Sequence, residues 1–493
     1  MEIDGSLATS EFIAVVLTGF GNGLSPLTRA YGDEPCPKAL LPIANKPMIE
    51  YALTWIDQSG IRDVLLICPA SHRAAIYHHI HSDTSSSASG LHIDLQTLDE
   101  TPDATVGTCA MLRHFSNRIS KPFVVLPCDF VPPTTVSLSV LLDKFRSTST
   151  SSGSIATAFW VPVQIPDGPV PEEWGPSSPP HWSLWHQGGT LVQTEVPDDI
   201  DRNPQNLEIS LSLLNRYPRL QLSKNYSDSH IYVCSRLVLD LLHLKRHMES
   251  LTMEFIPWLC SLSYDKRRRM KSEKAINLNI STQSAALSHS TLQHEGLHPT
   301  ALSPNRTLHP AEFSVPTSPV ESEVDEQVAN LGIDVVHLHD FAIRANTIQA
   351  YLEANKWFLS RTTPHPATDS KSRSLIDVKA QISVDTIIGE FSQIAERTSI
   401  KRTVVGRHCI IGKMVKIVGS VILDHCVIED GAKIEHCILG KNTKVRSKAE
   451  LSRCITQAGY EIHEGESLKG EKLEISDWTS ATGGNDTDGD SDS

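Results

Sequence analysis

The sequence predicts two architectures in one chain, an α/β domain with a mostly parallel sheet and then a parallel β-helix. Three observations carry this. Short apolar runs alternate with amphipathic segments over the first 130 residues. A glycine-rich turn, "GFGNG", follows the first of those runs. Towards the C-terminus, apolar residues recur every five or six positions.

The α/β pattern begins at "FIAVVL" (Phe12–Leu17), a β-branched apolar run that predicts a buried strand. "KPMIEYALTWIDQSG" then spaces Met48, Ile49, Ala52, Leu53 and Ile56 as one face of a helix, and Gly60 is placed to end it. "DVLLIC" (Asp63–Cys68) predicts the next buried strand and "LHIDLQTL" (Leu91–Leu98) an alternating one. "GTCAMLRHF" predicts a helix and "PFVVLPCD" (Pro122–Asp129) another buried strand. Strands interleaved with helices imply βαβ units and a mostly parallel sheet.

Residues 164–187 are rich in Pro, Gly and Trp, which reads as an insertion or long loop. "SHIYVCSRLVLDLL" (Ser229–Leu242) returns to strand and helix. Residues 272–326 are rich in Ser, Thr, His and Pro, with too few periodic apolar positions to offset ordering entropy, and are expected to be a mobile insertion. "VVHLHDFAIRANTIQAYLEANKWFL" predicts a strand and then a helix. The expected organisation is an α/β domain over 11–360, a linker over 361–380, a β-helix over 381–465 and an acidic disordered tail over 466–493.

The β-helix rests on Val405, Ile411, Ile417, Leu423, Ile428, Ile434, Leu439, Val445 and Leu451, spaced 6, 6, 6, 5, 6, 5, 6 and 6. "VVGRHC", "IIGKMV" and "ILGKNT" share one grammar, an apolar residue followed by Gly or a small polar one. Neither a period of 2 nor one of 3.6 reproduces this spacing, whereas three short faces per coil, each with one inward residue, do.

A net charge of −14 argues against a basic nucleic-acid-binding face, so no direct nucleic-acid partner is expected. No run reaches the roughly 18 apolar residues of a membrane span, and the acidic start "MEIDGSLATSE" does not read as a secretory leader. Ten scattered cysteines without a C-x-x-C pair read as reduced thiols, so the expected location is the cytosol.

A strand, a glycine turn and a following helix can cradle phosphate, because glycines let the backbone approach and free N–H groups face the anion. Gly19, Gly21 and Gly23 follow the first strand, "PCPKALLPIANKP" comes soon after, and "PCD" ends a later strand. Here the sequence resembles the sugar-nucleotide pyrophosphorylases, whose loop reads L-A-G-G-x-G-T-R-L-x-P-L-T and is followed by P-K-P-x-x-P, a G-T-A helix start and a metal-binding Asp. "SPLT" (Ser25–Thr28), "PKALLPIANKP" (Pro37–Pro47) and "VGTCAML" (Val106–Leu112) match, and Asp129 falls where that family holds Mg²⁺. The resemblance implies a Rossmann-like nucleotidyltransferase domain, often followed by a left-handed β-helix.

The departures bear on chemistry. The arginine of G-T-R-L is replaced by Gly23, the second proline of P-K-P by Ala39, and the lysine of the E-K-P motif by Val196 in "TEVP". Nucleotidyl transfer depends on positioning and charge neutralisation, so these losses are expected to lower its rate on the order of 10³-fold or more. Gly19, Gly21, Lys38 and Asp129 then read as a vestigial nucleotide pocket, with no catalytic residue and no metal assigned.

A loop lacking that arginine, together with "FAIRANTIQAYLEANKWFL" (Phe341–Leu359), resembles the gamma-subunit family of eukaryotic translation initiation factor 2B; Arg344, Asn346, Thr347, Tyr351, Glu353 and Asn355 match its R-x-N-T-x-x-Y-x-E-x-N segment. The resemblance implies a non-catalytic subunit of a guanine-nucleotide exchange complex. It would pair with the epsilon subunit, dock on the alpha, beta and delta subunits, and support GDP-to-GTP exchange on initiation factor 2, restrained when that factor is phosphorylated on its alpha subunit. No cofactor is expected, although Lys38 and the glycines leave room for GTP held without turnover. The alternative is an active sugar-1-phosphate nucleotidyltransferase such as mannose-1-phosphate guanylyltransferase.

Other clusters read as structural. Cys409, Cys426, Cys437 and Cys454 lack the short paired spacing of a zinc site. "YHHIH" (Tyr77–His81) reads as the polar end of a surface helix, "KRRR" (Lys266–Arg269) as a solvated run, and "CPK" (Cys36–Lys38) as structural.

Overall fold

The computed structural model describes residues 11–475 except 33, 83–89, 100, 102–104, 152, 165–173, 175–181, 196–208, 210, 266, 273–331 and 362–374. The expected insertion beyond Ser272, most of the expected linker, and the tail from 476 onward lie outside the described residues.

The N-terminal domain is built on a ten-stranded mixed sheet. Ile13–Leu17 lies between Phe123–Pro127 and Asp63–Pro69, parallel to both, and His92–Leu98 extends the parallel block at one edge. Tyr226–Cys234 then runs antiparallel between Phe123–Pro127 and Ala156–Pro162, and Ile333–His337 lies parallel to Ala156–Pro162. Alternate residues of these strands face two cores. Val15, Leu65 and Val125 pack towards helices Thr108–His114, Leu237–Leu244 and Ile256–Leu262. Ala14, Val16 and Leu66 pack towards helices Met48–Gln58 and Leu138–Ser151. Near-continuous apolar strands are what a sheet covered on both faces requires. Helix Met48–Gln58 stops as expected, with Gly60 at φ +84° just beyond it.

The C-terminal domain is a left-handed β-helix of three parallel sheets with six, six and five short strands. Stacked residues are 17 apart: Ile400, Ile417, Ile434, Leu451 and Leu468 form one column. The inward residues of the middle coils are Val405, Ile411, Ile417, Ile422, Ile428, Ile434, Leu439, Val445 and Leu451. One expected position is corrected: the inward residue is Ile422, and Leu423 points outward to the N-terminal domain. The spacing is then 5, 6 and 6 around each coil, one step per face. The coil also runs further than expected, through Ser467–Lys469 to Lys472–Leu473, so residues 466–473 belong to the β-helix and not to the tail.

Each corner places one residue in the left-handed region. Phe391, His408, His425, Asn442 and Gly459 recur along one edge with φ between 54° and 74°. This is uncommon for a bulky residue such as Phe391. Its ring stacks on His408 at 5.1 Å, and His408 on His425 at 5.1 Å, so contact along the column offsets the local cost.

One β-helix face is covered. Val404, Val421, Ile438 and Ile455 project from it and are at most 2% exposed, because they pack with Leu24, Leu27, Leu41, Ile43 and Met48 of the N-terminal domain. Polar contacts fix the register: Asn45 Nδ2 donates to the Val405 carbonyl at 2.8 Å, Gln457 Nε2 to the Ala30 carbonyl at 3.1 Å, and Arg29 pairs with Glu474 at 2.7 Å.

Candidate functional site

The glycine loop leaves the C-terminal end of strand Ile13–Leu17. A long helix does not follow it directly; a 3₁₀ turn, Asn22–Leu24, does, and the first α-helix begins only at Met48. The N–H groups of Leu24, Ser25 and Leu27 are spent within the turn, on the carbonyls of Gly21, Asn22 and Leu24. The loop is therefore not backed by a helix dipole, contrary to the strand–turn–helix expectation.

The glycines differ in their reasons. Gly21 sits at φ +83° against the Lys38 side chain, and its carbonyl accepts from Thr28 Oγ1 at 3.0 Å. A Cβ at Gly23 would overlap the Asn346 carbonyl oxygen. A Cβ at Gly19 would meet nothing within 4 Å, so the turn itself does not require that glycine.

Asp129 follows strand Phe123–Pro127 and is wholly buried. Lys38 Nζ lies 2.8 Å from Asp129 Oδ2, and Arg344 Nε lies 3.1 Å from Oδ1. Burial alone would raise the carboxyl pKa, but the Arg344 and Lys38 charges outweigh it and hold Asp129 well below the usual carboxylate range. Local topology delivers Arg344. The two-residue strand Ile343–Arg344 pairs antiparallel with Phe130–Val131, and the Ala345 N–H donates to the Asp129 carbonyl at 2.8 Å.

The helix that follows, Ile348–Arg361, clamps the "PIANKP" turn. Tyr351 Oη donates to the Pro42 carbonyl at 2.6 Å, and the Ala44 N–H donates to Asn355 Oδ1 at 2.9 Å. Asn355 Nδ2 returns to the Tyr351 carbonyl at 2.9 Å. The two stretches that carry the family resemblance thus meet each other.

The structure brings together Gly21, Lys38 and Asp129 and leaves Gly19 at the open side of the loop. It corrects one expectation: the cleft does not lack a guanidinium, because Arg344 supplies one from another element. Sequence reading quoted Arg344 as a motif match but did not pair it with Asp129. It also missed Asp228. This buried acid accepts from Tyr232 Oη and, at 2.8 Å, from the His230 N–H. Burial pushes its carboxyl up to about 6, against those hydrogen bonds and the nearby Arg344 charge. An Asp within a strand, "YSDSHIYVC", where that residue type is uncommon, was the available signal. On the same rim, Trp185 and Tyr226 flank His337 at 4.2 and 4.6 Å, and burial lowers His337 to about 4, so it stays neutral at pH 7. Val196, assigned to the lost lysine, lies outside the described residues.

The residues do not fit the Mg²⁺ that the pyrophosphorylase resemblance implies. Mg²⁺ demands near-octahedral oxygen ligands, yet each Asp129 oxygen already faces a side-chain cation. Among the described residues, no group of three or more His, Cys, Asp or Glu is placed to hold a metal. The coil cysteines Cys409, Cys426, Cys437 and Cys454 are fully buried inside it, and His79 pairs with Glu50 at 2.9 Å. No helix among the described residues is long and apolar enough to cross a membrane.

Residues 13–168 match the family described as nucleotidyl transferase, and residues 370–468 match the family described as the EIF2B subunit epsilon LbH domain. The chain is 29% identical to the translation initiation factor eIF2B subunit gamma of Schizosaccharomyces pombe, over 79% of this chain and 72% of that protein. It is 24% identical to the Caenorhabditis elegans protein of the same name, over 51% of this chain and 58% of that one. With the Dictyostelium discoideum protein of that name it shares 23% identity over 82% of this chain and 89% of the other.

Proposed function

We propose, from a chain that resembles the proteins named translation initiation factor eIF2B subunit gamma across both of its domains, that it is a subunit of translation initiation factor 2B. In this reading it has no transferase activity of its own. It pairs with the epsilon subunit, joins the alpha, beta and delta subunits, and supports GDP-to-GTP exchange on initiation factor 2 in the cytosol. Phosphorylation of that factor's alpha subunit restrains the exchange.

The observation that carries the reading is the Arg344–Asp129–Lys38 bridge. Side chains fill the place where a transferase needs metal and substrate phosphates. GTP held without turnover at the glycine loop remains part of this reading, supported only by the open space beside Gly19. Exposed residues of the β-helix support a partner surface there. One face is covered by the N-terminal domain, and Phe391, Ile410 and Met414 stay 57%, 47% and 60% exposed at the face and corners left open. The epsilon subunit is assigned here because its own β-helix family is the one this coil matches.

The test is affinity purification of the full chain from its own cells. Epsilon and the other factor subunits should co-purify, and Phe391→Asp with Met414→Asp should release epsilon. Rapid pyrophosphate release by the purified chain, given Mg²⁺, GTP and mannose 1-phosphate, would favour the sugar-nucleotide transferase instead.

A further inference from the structure

We infer that Arg344 is a built-in cation that takes the place of a divalent metal ion at Asp129, and that removing it uncovers a divalent-cation site there. A carboxylate wholly out of water must be paired or coordinated. Asp129 lies just past the carboxyl end of its strand, where open α/β sheets bind ligands, and it reaches the glycine loop through Lys38, which packs against Gly21. Here it carries two monovalent cations, one per oxygen.

A metal cannot simply join them. A dication carries twice the charge of either cation, so beside Arg344 and Lys38 it would meet stronger repulsion than they meet from each other. The guanidinium Nε also stands 3.1 Å from Oδ1, the oxygen that a Mg²⁺ ion would need as a ligand.

The replacement is a packing event as well as a charge event. Gly23 lacks a Cβ, so the Asn346 carbonyl can sit against the loop, and this seats the Ile343–Arg344 strand beside Phe130–Val131. Any side chain at position 23 would displace Asn346. The glycine that empties the loop of its own cation thereby admits the segment that brings another. Asp228 lies within reach of the same Arg344 charge, so loss of Arg344 would leave Asp129 with Lys38 alone and Asp228 without that charge.

Mn²⁺ binding to the purified full chain, read by electron paramagnetic resonance or calorimetry, tests this. Wild type and Asp129→Asn should bind Mn²⁺ alike, through weak surface acids only, and Mg²⁺ should not move the wild-type melting temperature. Arg344→Ala should gain affinity by at least about tenfold, and the double variant Arg344→Ala, Asp129→Asn should lose that gain. Arg344→Gln fills more of the same space and guards against loss of fold, checked by near-ultraviolet circular dichroism. Wild-type Mn²⁺ binding that disappears with Asp129→Asn overturns the inference. So does a folded Arg344 variant that binds no better than wild type.

Discussion

Arg344 and Lys38 divide one carboxylate between them: the guanidinium Nε stands 3.1 Å from Asp129 Oδ1 and the ammonium 2.8 Å from Oδ2. The three residues are 91 and 215 positions apart in the chain, and the carboxylate has no exposure. Removing the shared acid strands two cations at once. Asp129→Ala should therefore cost about 3–5 kcal/mol, the range for breaking a buried pair. Urea unfolding at neutral pH measures it; a loss below about 1 kcal/mol would mean that water already compensates the cations.

Two glycines in one loop should behave oppositely. Gly19→Ala adds a methyl to open space and should change stability by less than about 0.5 kcal/mol. Gly23→Ala drives a Cβ into the Asn346 carbonyl, a backbone atom that cannot swing aside, and should cost about 1–3 kcal/mol. Thermal melts of both variants compare them directly. Equal tolerance would show that the Asn346 segment is not seated on the loop.

Ile438 lies on the outside of the β-helix yet is fully buried, because the N-terminal domain covers it. Ile438→Ala should then cost about 2–4 kcal/mol, like a core truncation. Chemical unfolding of the full chain reads this. If the loss stays within about 0.5 kcal/mol, the two domains do not share that core.

Asp228 gives a pH signature. Its carboxyl rises from an ordinary 3.8 to about 6, so the folded state holds this proton more tightly than the unfolded chain. Its contribution to stability is greatest below pH 3.8, falls as pH rises to about 6, and is flat above that. Asp129 acts with the opposite sign, since its depressed carboxyl contributes stability that is lost as pH falls below 3.8. Between pH 4 and 6 the melting temperature of wild type should fall relative to that of Asp228→Asn as pH rises. Identical slopes would remove Asp228 as the source.

Of the ten cysteines, nine are buried and Cys36 is half-buried. Burial pushes the Cys36 thiol up, against the nearby Lys441 charge, so even this one reacts slowly. A thiol-exchange titration of the native chain at pH 8 should count one accessible group, and ten after denaturation. Several fast thiols in the native chain would contradict the burial of the coil cysteines.

Much of the fold was legible because its signals are local. The strand runs at Phe12–Leu17 and Asp63–Cys68 and the coil period each reflect side chains choosing between a core and water within a few residues. Local signals also explain the miss at Leu423. It and Ile422 are adjacent and both apolar, and spacing alone could not tell the column inside the coil from the patch beneath the neighbouring domain. The candidate site was legible only in outline. Gly21, Lys38 and Asp129 stand out by motif, but the partner that decides their chemistry arrives from Arg344, and Asp228 lies just before the run "SHIYVCSRLVLDLL" that reads as strand and helix.

The sequence by itself determined the two architectures, their order and the family resemblance, because periodicity and turn chemistry are set by neighbours along the chain. Tertiary structure decided the rest: which outer face of the coil is buried, why Gly23 must stay bare, and which cation neutralises Asp129. Those outcomes depend on Coulomb attraction and steric contact across hundreds of residues, and no local pattern encodes such distances.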